Sequence, residues 1–167
     1  YLRNILTDEK YSNKTIGVVS LGLSKHTEKL KDIKEDLANE FGKTKIDKHK
    51  LIIEDSPKFQ GDERDVMLVS LGVATDFEKL KKNENAKPRA IISDQDEFKK
   101  INVALSRAKE QMILFHSVKS EHLRTDDFRN KIINFFYEEV KVIEELKLDY
   151  SNEVRNLHNT PTPFDSW

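Results

Sequence analysis

Two short stretches set polar groups directly beside apolar runs, an arrangement that puts reactive side chains at the rim of a sheet. The first is Phe59-Gln60-Gly61-Asp62-Glu63-Arg64-Asp65, which runs into the apolar segment Val66 to Leu71. The second is Ile101-Asn102-Val103-Ala104-Leu105-Ser106-Arg107-Ala108-Lys109, which precedes the apolar segment Met112 to His116. In open α/β sheets the rim is where ligands bind, and an arginine just ahead of a buried strand reaches toward it. Arginine suits a developing phosphoryl charge, because its guanidinium stays protonated and offers a planar fork of donors. Taken singly, one stretch is a solvated turn around Gly61 and the other a surface cation worth little. Taken as a pair, they suggest one site for a phosphorylated ligand.

That site has no phosphate cradle of its own. The five glycines stand far apart, and no G-x-x-x-x-G-K-S/T occurs. Ala90-Ile91-Ile92-Ser93-Asp94-Gln95-Asp96-Glu97 imitates a magnesium-binding strand end only weakly and is read as a solvated acidic turn. Asp55, Asp62, Glu63 and Asp65 could together suggest a metal, but neighbouring carboxylates in a turn diverge and no histidine joins them, so no metal site is expected. His26, His49, His116, His122 and His158 are scattered without ligand spacing and receive no role.

Composition narrows the classes further. A chain of 167 residues is long enough for one core. Charged residues make up 35% of it, yet the net charge is only -1, which argues against a free-standing nucleic-acid binder and requires any such contact to be local or shared. Cysteine is absent, which is compatible with a reducing cytoplasm, the expected location. No apolar run approaches the length needed to cross a bilayer, so no membrane partner is expected. The opening Tyr1-Leu2-Arg3-Asn4 and the closing Phe164-Asp165-Ser166-Trp167 read as cuts within a larger protein.

The elements that must position the two stretches follow from periodicity. Thr15 to Ser20 and Leu51 to Glu54 are β-branched apolar runs that read as buried strands, with Val66 to Leu71 and Met112 to His116 completing the set. Between the first two, Leu30, Ile33, Leu37 and Phe41 recur at helical steps after Ser24 and stop at Gly42, while Lys43 to Lys50 reads as a basic loop. Thr75 to Arg89 has little core material and reads as a surface insertion. Phe98 to Ala108 reads as a short helix, and Asp127 to Leu148 as a long one with Phe128, Ile132, Phe135, Phe136, Val140, Ile143 and Leu146 along one stripe. Alternation of strands and helices predicts an α/β fold, a three-layer parallel sheet with a long C-terminal helix. The domain is expected over 1–148, with its core at 15–117 and a Pro-punctuated linker at 149–167.

The residues also resemble a known family. Phe59-Gln60-Gly61-Asp62-Glu63-Arg64-Asp65-Val66 looks like motif V of the superfamily 1 helicases, Asn102 to Lys109 looks like their motif VI, and Thr15 to Ser20 with its helix is similar to the motif IV region. The resemblance implies a RecA-like fold of the P-loop NTPase type that lacks its own P-loop, namely the second motor domain of an ATP-dependent DNA helicase. It implies that Arg107 is the arginine finger, and that Glu63, supported by Gln60 and Gly61, contacts the nucleotide. ATP would lie against a first RecA-like domain of the same chain, which would hold most of the Mg²⁺. Single-stranded DNA is the implied track, with RNA not excluded. Family members commonly carry Thr-Val-Asp before Phe-Gln-Gly, whereas this chain has Asp55-Ser56-Pro57-Lys58. Ser56 and Lys58, with Ser20, therefore become the candidate backbone-phosphate contacts. The closing segment resembles one that leads into a restriction-endonuclease-like nuclease domain. Two other readings stand beside this one: a non-catalytic RecA-like interaction module that uses the long helix, and a metal-dependent nuclease fragment.

Overall fold

In the computed structural model the residues described are 1–21, 24–83, 85–91 and 95–149, with only the backbone described for residue 24 and for 139–149. Four strands, β1 (Ile16–Ser20), β2 (Ile52–Asp55), β3 (Arg64–Leu71) and β4 (Ala108–His116), form one sheet in the order β2-β1-β3-β4. All three pairings are parallel, with Ser20 opposite both Asp55 and Ser70, and Arg64 opposite Ala108. β1 is buried at every position, as a strand covered on both faces must be. Three helices precede or interleave the first strands: α1 (Leu2–Thr7), α2 (Ser24–Phe41) and α3 (Lys43–Lys48).

Residue parity decides which face each side chain covers. Ile16 and Val18, with Leu51 and Ile53, Val66 and Leu68, and Ile113, point to one side, where Ile5, Leu6, Leu37 and Ile46 of the helices meet them in a single cluster. Gly17 belongs to the opposite face. A methyl group built there would collide with the Met67 sulfur and stand 3.0 Å from the Phe59 ring and 3.1 Å from Arg64 Cγ. Phe59 ends a 3₁₀ turn, Ser56–Phe59, which packs with α5 (Gln95–Leu105). Helices, sheet and helices thus make a three-layer α/β fold of the RecA-like type.

Several local readings are corrected. The first residues, for which no element was expected, form a helix in which Ile5 and Leu6 are almost fully buried. Lys43 to Lys48 is helical rather than a loop, since Ile46 is anchored in the core and Gly42 turns the chain at φ +84°. α5 ends at Leu105, three residues before the expected stop, which leaves Arg107 between helix and strand. β3 and β4 begin earlier than their apolar runs, because main-chain pairing at Arg64 and Ala108 continues past the last core side chain.

The chain divides into two compact units, 1–74 with 93–116, and 75–92 with 117–167. In the second, α4 (Phe77–Lys82) buries no residue, in keeping with a surface insertion. The long helix α6 (Phe128–Asp149) starts from Asp127, a fully buried carboxylate that accepts the Arg129 N–H at 3.0 Å and pairs with the Arg129 guanidinium at 2.7 Å. Ile132 and Ile133 are buried but Phe135 is 57% exposed, so the expected stripe is not continuous. The side chains of Val140, Ile143 and Leu146, and the linker expected from 149, lie outside the described residues beyond the backbone of Asp149. Among the described residues no helix is long and apolar enough to cross a membrane.

Replacing Gly17 by Val forces Phe59 and Met67 apart in a packed layer, and overpacking of this kind costs about 1–3 kcal/mol. The expected result is a lower urea midpoint with an unchanged m-value; an unaltered midpoint would show that the layer is loose.

Candidate functional site

The path from β2 to β3 determines what lies where. β2 ends at Asp55 on the carboxyl edge of the sheet, and β3 starts at Arg64 on the amino edge, so residues 56–63 must cross a face. Lys58 leaves from the first edge and Glu63 arrives at the second. The general rule places ligands at carboxyl ends of strands, and the Gln60 to Asp65 stretch sits at the other rim. Its position is therefore a correction to the expectation drawn from that rule.

At the amino edge the main chain brings the two polar stretches side by side. The Arg64 N–H donates to the Arg107 carbonyl at 3.0 Å, so Glu63 and Arg107 occupy neighbouring positions just ahead of adjacent strands. Glu63, Gln60 and Gly61 are exposed. Gly61 adopts φ +81°, a conformation that an L side chain resists, and it lets the strap turn toward Arg64. Arg107 is half-buried and folds over the end of α5: Nε donates to the Val103 carbonyl at 3.2 Å, and Nη2 to the Ser106 hydroxyl at 2.8 Å. Among the described residues Arg3, Arg64, Arg124 and Arg129 each hold a carboxylate, whereas Arg89 and Arg107 hold none.

Two interactions that the sequence did not disclose hold this edge. Arg64 is only 7% exposed, and its guanidinium donates to the carbonyls of Lys50 at 3.3 Å and Glu63 at 2.8 Å while pairing with Asp62. One side chain thus fixes both ends of the turn and the carbonyl of Glu63 itself. Next to it, Thr15 and Asp65 bond reciprocally: Asp65 Oδ2 accepts the Thr15 N–H at 2.7 Å and its hydroxyl at 2.8 Å, and the Thr15 hydroxyl accepts the Asp65 N–H at 3.0 Å. These bonds hold the Asp65 carboxyl below its ordinary 3.8, outweighing partial burial, with Lys109 and Lys14 adding to the effect. The only sequence signal was a polar residue at each strand start, which every surface turn also carries.

The carboxyl edge gathers the other candidates. Ser20 is 3% exposed, and its hydroxyl has no partner among the described residues. Ser70, its neighbour in register, contacts His26 Nε2 at 2.9 Å; burial, with Lys29 nearby, lowers the pKa of that imidazole. Ser56 is buried and donates to the Lys100 carbonyl, so its hydroxyl is already engaged and the expected phosphate contact does not follow from this geometry. Lys58 is exposed, 2.9 Å from Glu54. Asp55 lies at this edge while Asp62, Glu63 and Asp65 lie at the other, and among the described residues no three His, Asp or Glu side chains gather as metal ligands. Of the acidic segment Ala90 to Glu97, residues 92–94 lie outside the described residues, and Gln95 to Glu97 open α5.

A parallel α/β domain with polar groups at both sheet edges is the architecture of a RecA-like module. A family model described as an AAA domain matches residues 1–119, and the chain belongs to that family, whose domain is found in superfamily 1 helicase-like proteins. In general terms it is a helicase-like nucleoside triphosphatase domain. No curated protein matches the chain.

Two measurements test the edge. Arg64→Met leaves the Lys50 and Glu63 carbonyls without their donor and is expected to cost about 1–3 kcal/mol in chemical denaturation; a neutral effect would mean the clamp is idle. Because the folded Asp65 pKa lies below the unfolded one, its contribution is present above about pH 4 and lost as pH falls through the folded value. Asp65→Asn should therefore be less stable than the native chain at neutral pH, with the gap closing in acid; a gap independent of pH would disprove the Thr15 assignment.

Proposed function

We propose that the chain is the second motor domain of an ATP-dependent superfamily 1 DNA helicase, and that its amino edge supplies one half of a shared nucleotide site. The observation that carries this reading is the Arg107 guanidinium, held without a carboxylate partner among the described residues and next to Glu63 across one main-chain hydrogen bond. A cation so placed suits a phosphate brought from outside the chain. The chain has no P-loop, so the phosphate cradle and most Mg²⁺ ligands belong, in this reading, to the first RecA-like domain of the complete protein. Glu63 addresses the sugar or phosphate region of ATP, with Gln60 and Gly61 shaping the approach.

The arginine's part is electrostatic. Charge spreads over the transferred phosphoryl oxygens in the transition state, and a planar, permanently protonated fork stabilises it more than it stabilises bound ATP. Domain closure delivers Arg107; loss of the γ-phosphate removes its partner and permits reopening. On the opposite edge, Lys58 and Ser20 stand where a single strand of DNA would pass, with Lys58 as the exposed contact. The strap 56–63 joins the two edges and carries both Lys58 and Glu63. A nuclease domain further along the parent chain accords with the closing segment and would couple unwinding to cleavage.

In the complete protein, Arg107→Ala is expected to lower ATP turnover by roughly 10³-fold or more while melting behaviour stays native, and Arg107→Lys is expected to restore little because the fork is lost. DNA-stimulated ATPase assays of both variants decide it: native turnover by Arg107→Ala would sink the proposal.

A further inference from the structure

β2 ends the sheet order, so its outer edge has no strand partner among the described residues, and a cleft of about 440 Å³ lies beside it. Lys31 and Lys34 of α2, Ile52, Ile53 and Glu54 of β2, and Lys58 of the strap line that cleft. Lys31 Nζ stands 2.7 Å and Lys58 Nζ 2.9 Å from the same oxygen, Glu54 Oε2. Lys34, one helical turn beyond Lys31, forms no ion pair among the described residues. Two ammonium groups thus share one carboxylate oxygen, Lys58 also stands 3.8 Å from Asp55 Oδ1, and Lys34 adds a lining cation with no ion pair among the described residues.

Lysines often guard an open strand edge against pairing with other chains. A guard works best unneutralised, and that role does not call for a carboxylate placed to quench two of the three cations. An oxygen of a monoanion, bridging two lysines at hydrogen-bond distance, is the arrangement a phosphodiester oxygen would adopt. The lysine side chains stay accessible, 42% exposed for Lys31 and 57% for Lys58, against 26% for Glu54. An incoming polyanion can reach the cations from solvent while Glu54 lies beneath them. Burial pulls the Glu54 carboxyl upward, but hydrogen bonds from Lys31 and Lys58 outweigh it and hold the group below its ordinary 4.5, so it remains ionised at neutral pH.

We propose that Lys31, Lys34 and Lys58 form a contact for the phosphodiester backbone of a single nucleic-acid strand, and that Glu54 is its built-in competitor, displaced from Lys31 and Lys58 when a phosphate arrives. This rests on the reading of the carboxyl edge as the nucleic-acid side, and it extends that track from Lys58 across the β2 edge onto α2. The internal anion keeps the contact weak and reversible. A motor that steps needs such contacts, since a phosphate held too tightly would not be released.

The test is fluorescence anisotropy of a labelled oligothymidylate titrated with the 167-residue chain at several salt concentrations, with thermal melts as a folding control. Each phosphate contact on a single strand contributes about -0.7 to the slope of log affinity against log salt. Lys31→Ala with Lys34→Ala should weaken binding and flatten the slope by roughly 0.7–1.4. Glu54→Gln should tighten it by roughly threefold to tenfold, the equivalent of removing one or two surface ion pairs. Lys34→Glu should weaken it while leaving both Glu54 ion pairs in place. If the native chain binds and all three variants match it, the lysine contact is refuted and the wider nucleic-acid reading survives. If the native chain binds no oligonucleotide even at low salt, both are refuted. If Glu54→Gln tightens binding of polyglutamate as strongly as oligothymidylate, the cleft is a surface for acidic peptides and the phosphodiester assignment falls.

Discussion

Parallel strands can be joined only by chain that travels from one edge of the sheet back to the other, and between β2 and β3 this protein makes that journey in the eight residues 56–63. With β1 lying between those strands, the straight-line displacement is about 22 Å from strand rise and spacing. Eight residues span at most about 28 Å fully extended. The difference leaves room for one 3₁₀ turn and no regular helix. The strap must therefore lie close on the sheet, and Phe59 does so by entering the layer that Gly17 leaves open. Much of the polar arrangement follows from that short crossing, because its two ends emerge at opposite rims.

Charge-assisted hydrogen bonds add to the buried Phe59 in holding the arriving end: Arg64 fastens Lys50, Asp62 and the Glu63 carbonyl together, and Asp65 grips Thr15 just ahead of β1. Hydrogen bonds to ionised groups are stronger than neutral ones and hold a backbone in one geometry. The consequence is that the main chain at Glu63 is held firmly beside that of Arg107.

The two rims are charged differently. At the amino edge Arg107 is left without a carboxylate among the described residues, whereas at the β2 edge lysines converge on Glu54. In the reading proposed above, the first pattern suits a phosphate presented by another domain, and the second an anion that must be bound and let go. Both belong to a chain whose total charge is close to zero, so its electrostatics are a matter of placement.

Apolar patterning alone determined the sheet strands, the helix that ends at Phe41 and the long helix from Phe128, because a buried face imposes its period on the residues that fill it. The helix Leu2–Thr7 was not read from the sequence, because a short segment gives too few apolar repeats to stand out. The pairing of the Glu63 and Arg107 stretches could be guessed from their strands. Their rim was implied as well, since stretches that precede strands of a parallel sheet stand at its amino edge; only the assembled sheet showed that β3 and β4 are neighbours, so that the Arg64 N–H meets the Arg107 carbonyl. Only the tertiary structure decided that Ser56 turns inward to Lys100, that Arg64 is a buried clamp, and that Lys31 and Lys58 meet on Glu54 in a cleft that Lys34 also lines. Each depends on groups far apart in the chain, and a polar side chain carries no periodic mark of the partner that folding will bring to it.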